Sequence, residues 1–84
     1  MDIGKYRQYL EQLVKEAIQN SNGTNAGISE YLWSLKPAGR FTPNRDEKNK
    51  ALEEVRKVFD DHRHWPLGII LSFLGIENKE QPPR

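Results

Sequence analysis

The sequence predicts an all-α fold: a small four-helix bundle-like domain with two long helices, a short irregular second helix and an apolar C-terminal helix. Three observations carry this prediction. Residues 3–18 and 51–62 repeat their apolar side chains at spacings of three and four, the period of a helix buried on one face. Loops rich in Asn, Gly, Ser and Pro separate the apolar segments. Residues 67–76 form the only strongly apolar run of a very polar chain, and a helix apolar all round must be buried.

The first helix begins after Asp2, a good N-cap. Ile3, Tyr6, Leu10, Leu13, Val14, Ala17 and Ile18 form its stripe. Lys5, Gln8, Glu11, Gln12, Lys15, Glu16 and Gln19 lie away from it, and Glu11 to Lys15 is a favourable i,i+4 pair. The helix should stop near Asn20, with Gly23 free to take the left-handed conformation that closes a helix.

Residues 20–27 hold only Asn, Ser, Gly, Thr and Ala and read as a loop. Ile28, Tyr31, Leu32 and Leu35 then carry a short second helix, with Thr24, Asn25 or Ser29 to cap it. Pro37 ends it, because proline disfavours helical geometry in the residue before it.

After the loop Lys36–Phe41, Thr42-Pro43 predicts a helix start, with threonine as N-cap and proline at the first helical position. Asn44 with Glu47 is a competing capping box. The third helix carries Ala51, Leu52, Val55, Val58, Phe59 and His62 on one stripe and runs to about residue 62 or 63. Trp65-Pro66 breaks it, and Pro66 can open the fourth. Helix four should be the most buried element, lying between helices one and three. Leu67, Ile70, Phe73 and Leu74 are expected deepest, ringed by Leu10, Leu13, Val14, Leu52, Val55 and Phe59. Gly68 and Gly75 allow another backbone to approach closely. Residues 1–76 form one domain, and 77–84 read as a flexible C-terminal tail.

With 84 residues and no cysteine, the fold must rest on packing or oligomerisation, without disulfides or thiolate-bound metal. The net charge of +1 suits a globular domain more than a basic or acidic tail. The N-terminus lacks a basic segment followed by an apolar run. The C-terminal apolar run spans about ten residues, against the ~20 of a membrane-spanning helix. These features predict a soluble cytoplasmic protein.

Three groups of residues are candidates for function. The first is Asp60-Asp61-His62-Arg63-His64. Imidazole and carboxylate bind zinc, nickel or copper, and Asp60 and His64 are i,i+4. A third ligand would have to come from elsewhere in the chain. The plainer reading is a helix C-terminus where cationic histidine favours the dipole and His62 edges the core. No nucleophile elbow or Ser-His-Asp order accompanies these histidines. The chain therefore reads as a non-enzyme without metal or cofactor.

The second group is the basic stretch Lys36, Arg40, Arg45, Lys48 and Lys50, with Trp33 and Phe41 beside it. Residues 36–50 carry five positive and two negative charges. Basic groups hold phosphates and aromatic rings stack on unpaired bases, so Lys36, Arg40, Phe41, Arg45, Lys48 and Lys50 are a candidate nucleic-acid surface. Against this, Asp46 and Glu47 would repel phosphate. The plainer reading is a solvated loop with Phe41 packed as a staple over helix three. A helix-turn-helix reading is disfavoured, since the turn from Lys36 to Phe41 is too long.

The third group is the apolar surplus of helix four together with the aromatic residues. Aromatic side chains dominate interface hot spots. Tyr9, Trp33, Trp65, Ile69 and Phe73 are the candidate partner-binding residues, unless all of them serve as core. The leading expectation is a helical protein-protein interaction module, a small adaptor, inhibitor or regulatory subunit that self-associates as a homodimer or binds another protein. Nucleic-acid binding through 36–50 is the alternative, and no membrane contact is expected.

Overall fold

The structure, a computed structural model, describes residues 1–76. It is all-helical there, with four helices packed together: α1 (Ile3–Gln19), α2 (Asn25–Ser34), α3 (Arg45–Asp61) and α4 (Leu67–Phe73). No helix among the described residues is long and apolar enough to cross a membrane. The reading of residues 77–84 lies outside the described residues.

Helix α1 starts where its cap requires. The Asp2 carboxylate accepts the Lys5 backbone N–H at 3.2 Å, and Leu10, Val14 and Ala17 are buried along one stripe. Glu11 and Lys15 pair at 3.7 Å. The helix ends on Asn20. Gly23 does adopt a positive φ of 83°, but three residues later, inside the loop.

Helix α2 is capped by Thr24, whose hydroxyl accepts the Gly27 N–H at 3.0 Å. It runs antiparallel to α3. Asn25 reaches the carbonyls of Arg63 and Trp65, Ser29 reaches Asp60, and Arg56 reaches the carbonyls of Leu32 and Leu35 at 3.1 and 2.6 Å. Arg56 thereby supplies the partners that the last carbonyls of α2 lack within their own helix.

The start of α3 differs from expectation. The helix begins at Arg45, so Thr42 and Pro43 precede it, and Asn44 is its N-cap. Asn44 sits at φ 57°, in the left-handed region, and makes no side-chain cap bond. Its amide donates instead to the Tyr9 hydroxyl at 3.1 Å. The predicted box partner, Glu47, accepts the Asp2 N–H at 2.8 Å. Both side chains of the expected capping box are thus spent on tying α3 to α1.

The centre of the molecule is α3, not α4. Ala51, Leu52, Val55, Val58 and Phe59 are buried on it, and it packs against both α1 and α2. Leu10, Val14, Ala17, Ile28 and Leu32 complete its surroundings. Leu13, expected in that ring, is only partly buried against it.

Helix α4 has only seven residues. Ile70, Leu71 and Leu74 turn inward, with Leu67 partly buried beside them. Ile69 and Phe73, one turn apart, make a second apolar stripe that faces outward. Leu67 and Phe73 are therefore not among the deepest residues. A two-turn helix at the edge of a small core can present only one stripe inward.

Gly75 closes α4. It stands at φ 77°, its N–H donates to the Ser72 carbonyl at 3.0 Å, and the Ile76 N–H donates to the Leu71 carbonyl at 2.8 Å. This is the Schellman arrangement, in which a left-handed glycine turns the next apolar residue back onto the helix. Ile76 and Leu71 are both buried, as that motif requires. Arg7 completes the end, donating to the carbonyls of Leu74 at 2.9 Å and Gly75 at 3.0 Å. A Cβ on Gly75 would stand 2.7 Å from the Arg7 guanidinium, whereas one on Gly68 would meet open space. The close approach expected at Gly68 does not occur.

Candidate functional site

Three places on this fold gather the candidate residues. The first is the corner between α3 and α4. The turn after His62 is fixed by the Trp65 N–H donating to the His62 carbonyl at 3.0 Å. It stacks the two rings with centroids 3.7 Å apart and planes 14° from parallel. Phe73 meets both edge-on, at 5.5 Å from His62 and 5.7 Å from Trp65. Edge-to-face contacts are favoured by the ring quadrupole. Trp65 packs partly against the core, while Phe73 and Ile69 remain 60% and 53% exposed. Asp61, Arg63 and His64 are exposed around the cluster. Three of the five predicted partner-binding residues, Trp65, Ile69 and Phe73, thus come from this one corner.

The second place is a polar clamp between α2 and α3. Ser29 and Trp33, one turn apart on α2, face Arg56 and Asp60, one turn apart on α3. The Ser29 hydroxyl and the Trp33 indole N–H donate to the two oxygens of Asp60 at 2.6 and 2.9 Å. The Arg56 guanidinium lies over the Trp33 ring at 4.4 Å, a cation–π geometry. Trp33 stays 57% exposed at the wall of a cleft of about 490 Å³, lined also by Pro37, Glu53, Lys57 and Asp61. Sequence reading singled out Trp33 but missed its partners. The available signal was the pair of i,i+4 polar sets on two helices that must pack antiparallel.

The clamp also determines what Asp60 can do. Both its oxygens are engaged on α2, and His62 is stacked on Trp65. Among the described residues, no three His, Cys, Asp or Glu side chains stand close enough to share an ion.

The third place is the loop between α2 and α3 with the start of α3. Asn49 fixes the loop: its carbonyl accepts the Ala38 N–H at 2.7 Å and its amide donates to the Ala38 carbonyl at 3.3 Å. A turn follows, closed by the Thr42 N–H on the Gly39 carbonyl at 3.0 Å. Phe41 sits at the tip of that turn and is 92% exposed. The expected staple over α3 does not form, because the turn aims the ring away from the helix.

Beside this loop a cleft of about 400 Å³ is lined by Tyr9, Glu16, Lys36, Thr42 and Lys48 among others. Lys48 holds its ammonium 5.2 Å from the Tyr9 ring. Tyr9 is therefore seated in the α1–α3 seam, partly buried, and not free on the surface. Arg45 pairs with Asp46 at 3.6 Å. Lys36, Arg40 and Lys50 are exposed. No carboxylate among the described residues pairs with them or with Lys48.

The two acidic residues expected to repel phosphate are disposed unequally. Asp46 is exposed. Glu47 is 8% exposed, covered by near neighbours instead of lying deep in the core. Hydrogen bonds from the Asp2 N–H and from its own N–H hold its carboxyl below the ordinary value of 4.5, because they favour the charged form.

Comparisons with protein-family models, with curated proteins and with solved structures found no match for this chain.

Proposed function

We propose that the chain is a non-enzymatic, cytoplasmic protein-protein interaction module with the character of a small four-helix bundle, acting as an adaptor or regulatory subunit. The observation that carries this reading is the outward stripe of α4. Ile69 and Phe73 leave more than half their surface in water beside the His62–Trp65 stack. Burying apolar surface stabilises by roughly 25 cal/mol per Å², and rigid aromatic anchors in one cluster are the usual centre of an interface.

The first partner proposed is a second copy. A two-fold dimer presents the same patch on both sides. Asp61 and Arg63, of opposite charge, are exposed beside this patch. Sedimentation equilibrium up to about 100 µM tests this, a range that detects dissociation constants weaker than 1 µM. A dimer that becomes a monomer in Ile69→Ser and Phe73→Ser supports the reading. A native chain that stays monomeric throughout that range overturns self-association.

A further inference from the structure

We propose that the α2–α3 loop and the adjoining cleft bind single-stranded nucleic acid, with Phe41 stacking on a base and Lys36, Arg40 and Lys48 holding phosphates. This goes beyond the interaction surface above and uses the opposite end of α3. That helix is 17 residues long, or about 25 Å at 1.5 Å per residue.

Four features converge. Phe41 is 92% exposed on a turn whose neighbours are pinned by Asn49 and by the Thr42–Gly39 bond. A ring this exposed on a pinned backbone turn makes no contribution to the core, and an exposed aromatic ring is the platform that base stacking uses. Arg40 precedes it and is exposed. Thr42 follows it and lines the cleft that Lys36 and Lys48 share with Tyr9. A strand stacked on Phe41 would pass Arg40 and Thr42 toward the cleft that holds Lys36 and Lys48.

Neither carboxylate of the stretch lines the cleft. Of the two carboxylates in the stretch, Glu47 is turned inward onto Asp2 and Asp46 is occupied by Arg45. Glu16 also lines the cleft and sets a limit on how far a phosphate enters. The alternative anion is a lipid surface. A flat bilayer could meet the exposed Phe41, Arg40 and Lys36, but it follows the half-buried Lys48 in the cleft less well than a flexible strand does.

The test is fluorescence anisotropy with a labelled oligothymidine of about twelve nucleotides, within the range of site sizes for such surfaces. Three phosphate contacts predict a salt slope near −2, so affinity should fall about twentyfold between ~50 and ~200 mM salt. Phe41→Ala should weaken binding roughly 5- to 150-fold, as loss of one stacked base implies. Lys36→Ala and Arg40→Ala should each lower the salt slope by about 0.7. All three positions are exposed, so these variants should retain the helical circular-dichroism spectrum and melting temperature of the native chain. Ile69→Ser should leave the binding unchanged, which separates this proposal from self-association. No complex at ~50 mM salt, equal affinity for a duplex, insensitivity to Phe41→Ala, or binding only to phosphatidylserine vesicles would each overturn it.

Discussion

The guanidinium of Arg7 donates to the carbonyl of Gly75, 68 residues away in sequence, at 3.0 Å. The same group donates to Leu74 at 2.9 Å. A cation on the last carbonyls of a helix is doubly favoured, by the hydrogen bonds and by the helix dipole. Arg7→Ala should therefore lower stability by about 1–2 kcal/mol, read as a shift in the urea midpoint. Gly75→Ala should cost at least as much. The left-handed backbone is strained by a Cβ, at roughly 1–2 kcal/mol, and the new methyl displaces Arg7. Combined, the two changes should cost less than their sum, because each removes the same cap.

The two stripes of α4 should respond oppositely to truncation. Leu74→Ala, at a position 6% exposed, should cost about 2–5 kcal/mol, and Phe59→Ala in α3 about 3–5. Ile69→Ala should change the stability of the monomer by no more than about 0.5 kcal/mol. Urea titration of all three variants at low protein concentration gives the comparison. Equal losses at Leu74 and Ile69 would mean that α4 is seated differently.

Asp60 couples α2 to α3. Asp60→Ala strands the hydroxyl of Ser29, a residue only 4% exposed, and frees the Trp33 indole. The cost should be about 1–3 kcal/mol, the usual penalty for an unsatisfied buried polar group. Ser29→Ala in the Asp60→Ala background should then be nearly neutral. A double-mutant cycle measures the coupling, and additive losses would show that the bond contributes nothing.

Glu47 gives stability a defined pH dependence. Its folded-state carboxyl titrates below the ordinary 4.5, so the folded protein binds fewer protons than the unfolded chain between those two values. The contribution is complete above about pH 5 and is lost as pH falls through the lowered value. Native chain and Glu47→Gln should differ in thermal midpoint at pH 7 and converge as the pH drops below 4.5 toward that lowered value. A gap that stayed constant with pH would mean that the Asp2 bond is indifferent to charge.

Periodicity made α1 and the body of α3 legible, because Leu10, Val14, Val55 and Phe59 repeat in step with the helix. The stop before Pro37 was legible for local reasons, but the loop expected over 20–27 gives way to α2 at Asn25, because Thr24, one of three expected caps, is the one that bonds the Gly27 N–H. Position in the fold was not. Residues 67–76 are apolar almost throughout, and composition alone cannot say that Ile70 faces inward while Ile69 faces water. That choice belongs to how α4 packs against the rest of the helical core. The start of α3 was misread because Asn44 and Glu47 have strong local roles that Tyr9 and Asp2, more than 30 residues away, take over. Of the site residues, Trp65, Ile69 and Phe73 do gather at one corner. The Asp60 clamp was hidden because its partners come from a different helix. Phe41 was misassigned because the Gly39–Thr42 turn, not hydrophobicity, decides where its ring points.

The borrowed helix ends have a consequence for how the chain folds. Helix α4, two turns long, is too short to persist alone in water, and its terminal carbonyls wait for Arg7 on α1. The end of α2 likewise waits for Arg56 on α3, and the turn into α4 waits for Asn25 on α2. The ends of α2 and α4 therefore gain their last partners only once α1 and α3 have docked. Order should arrive in one concerted step, and amide hydrogen exchange in α4 should open at the same free energy as exchange in the centre of α1, even though α4 lies at the periphery.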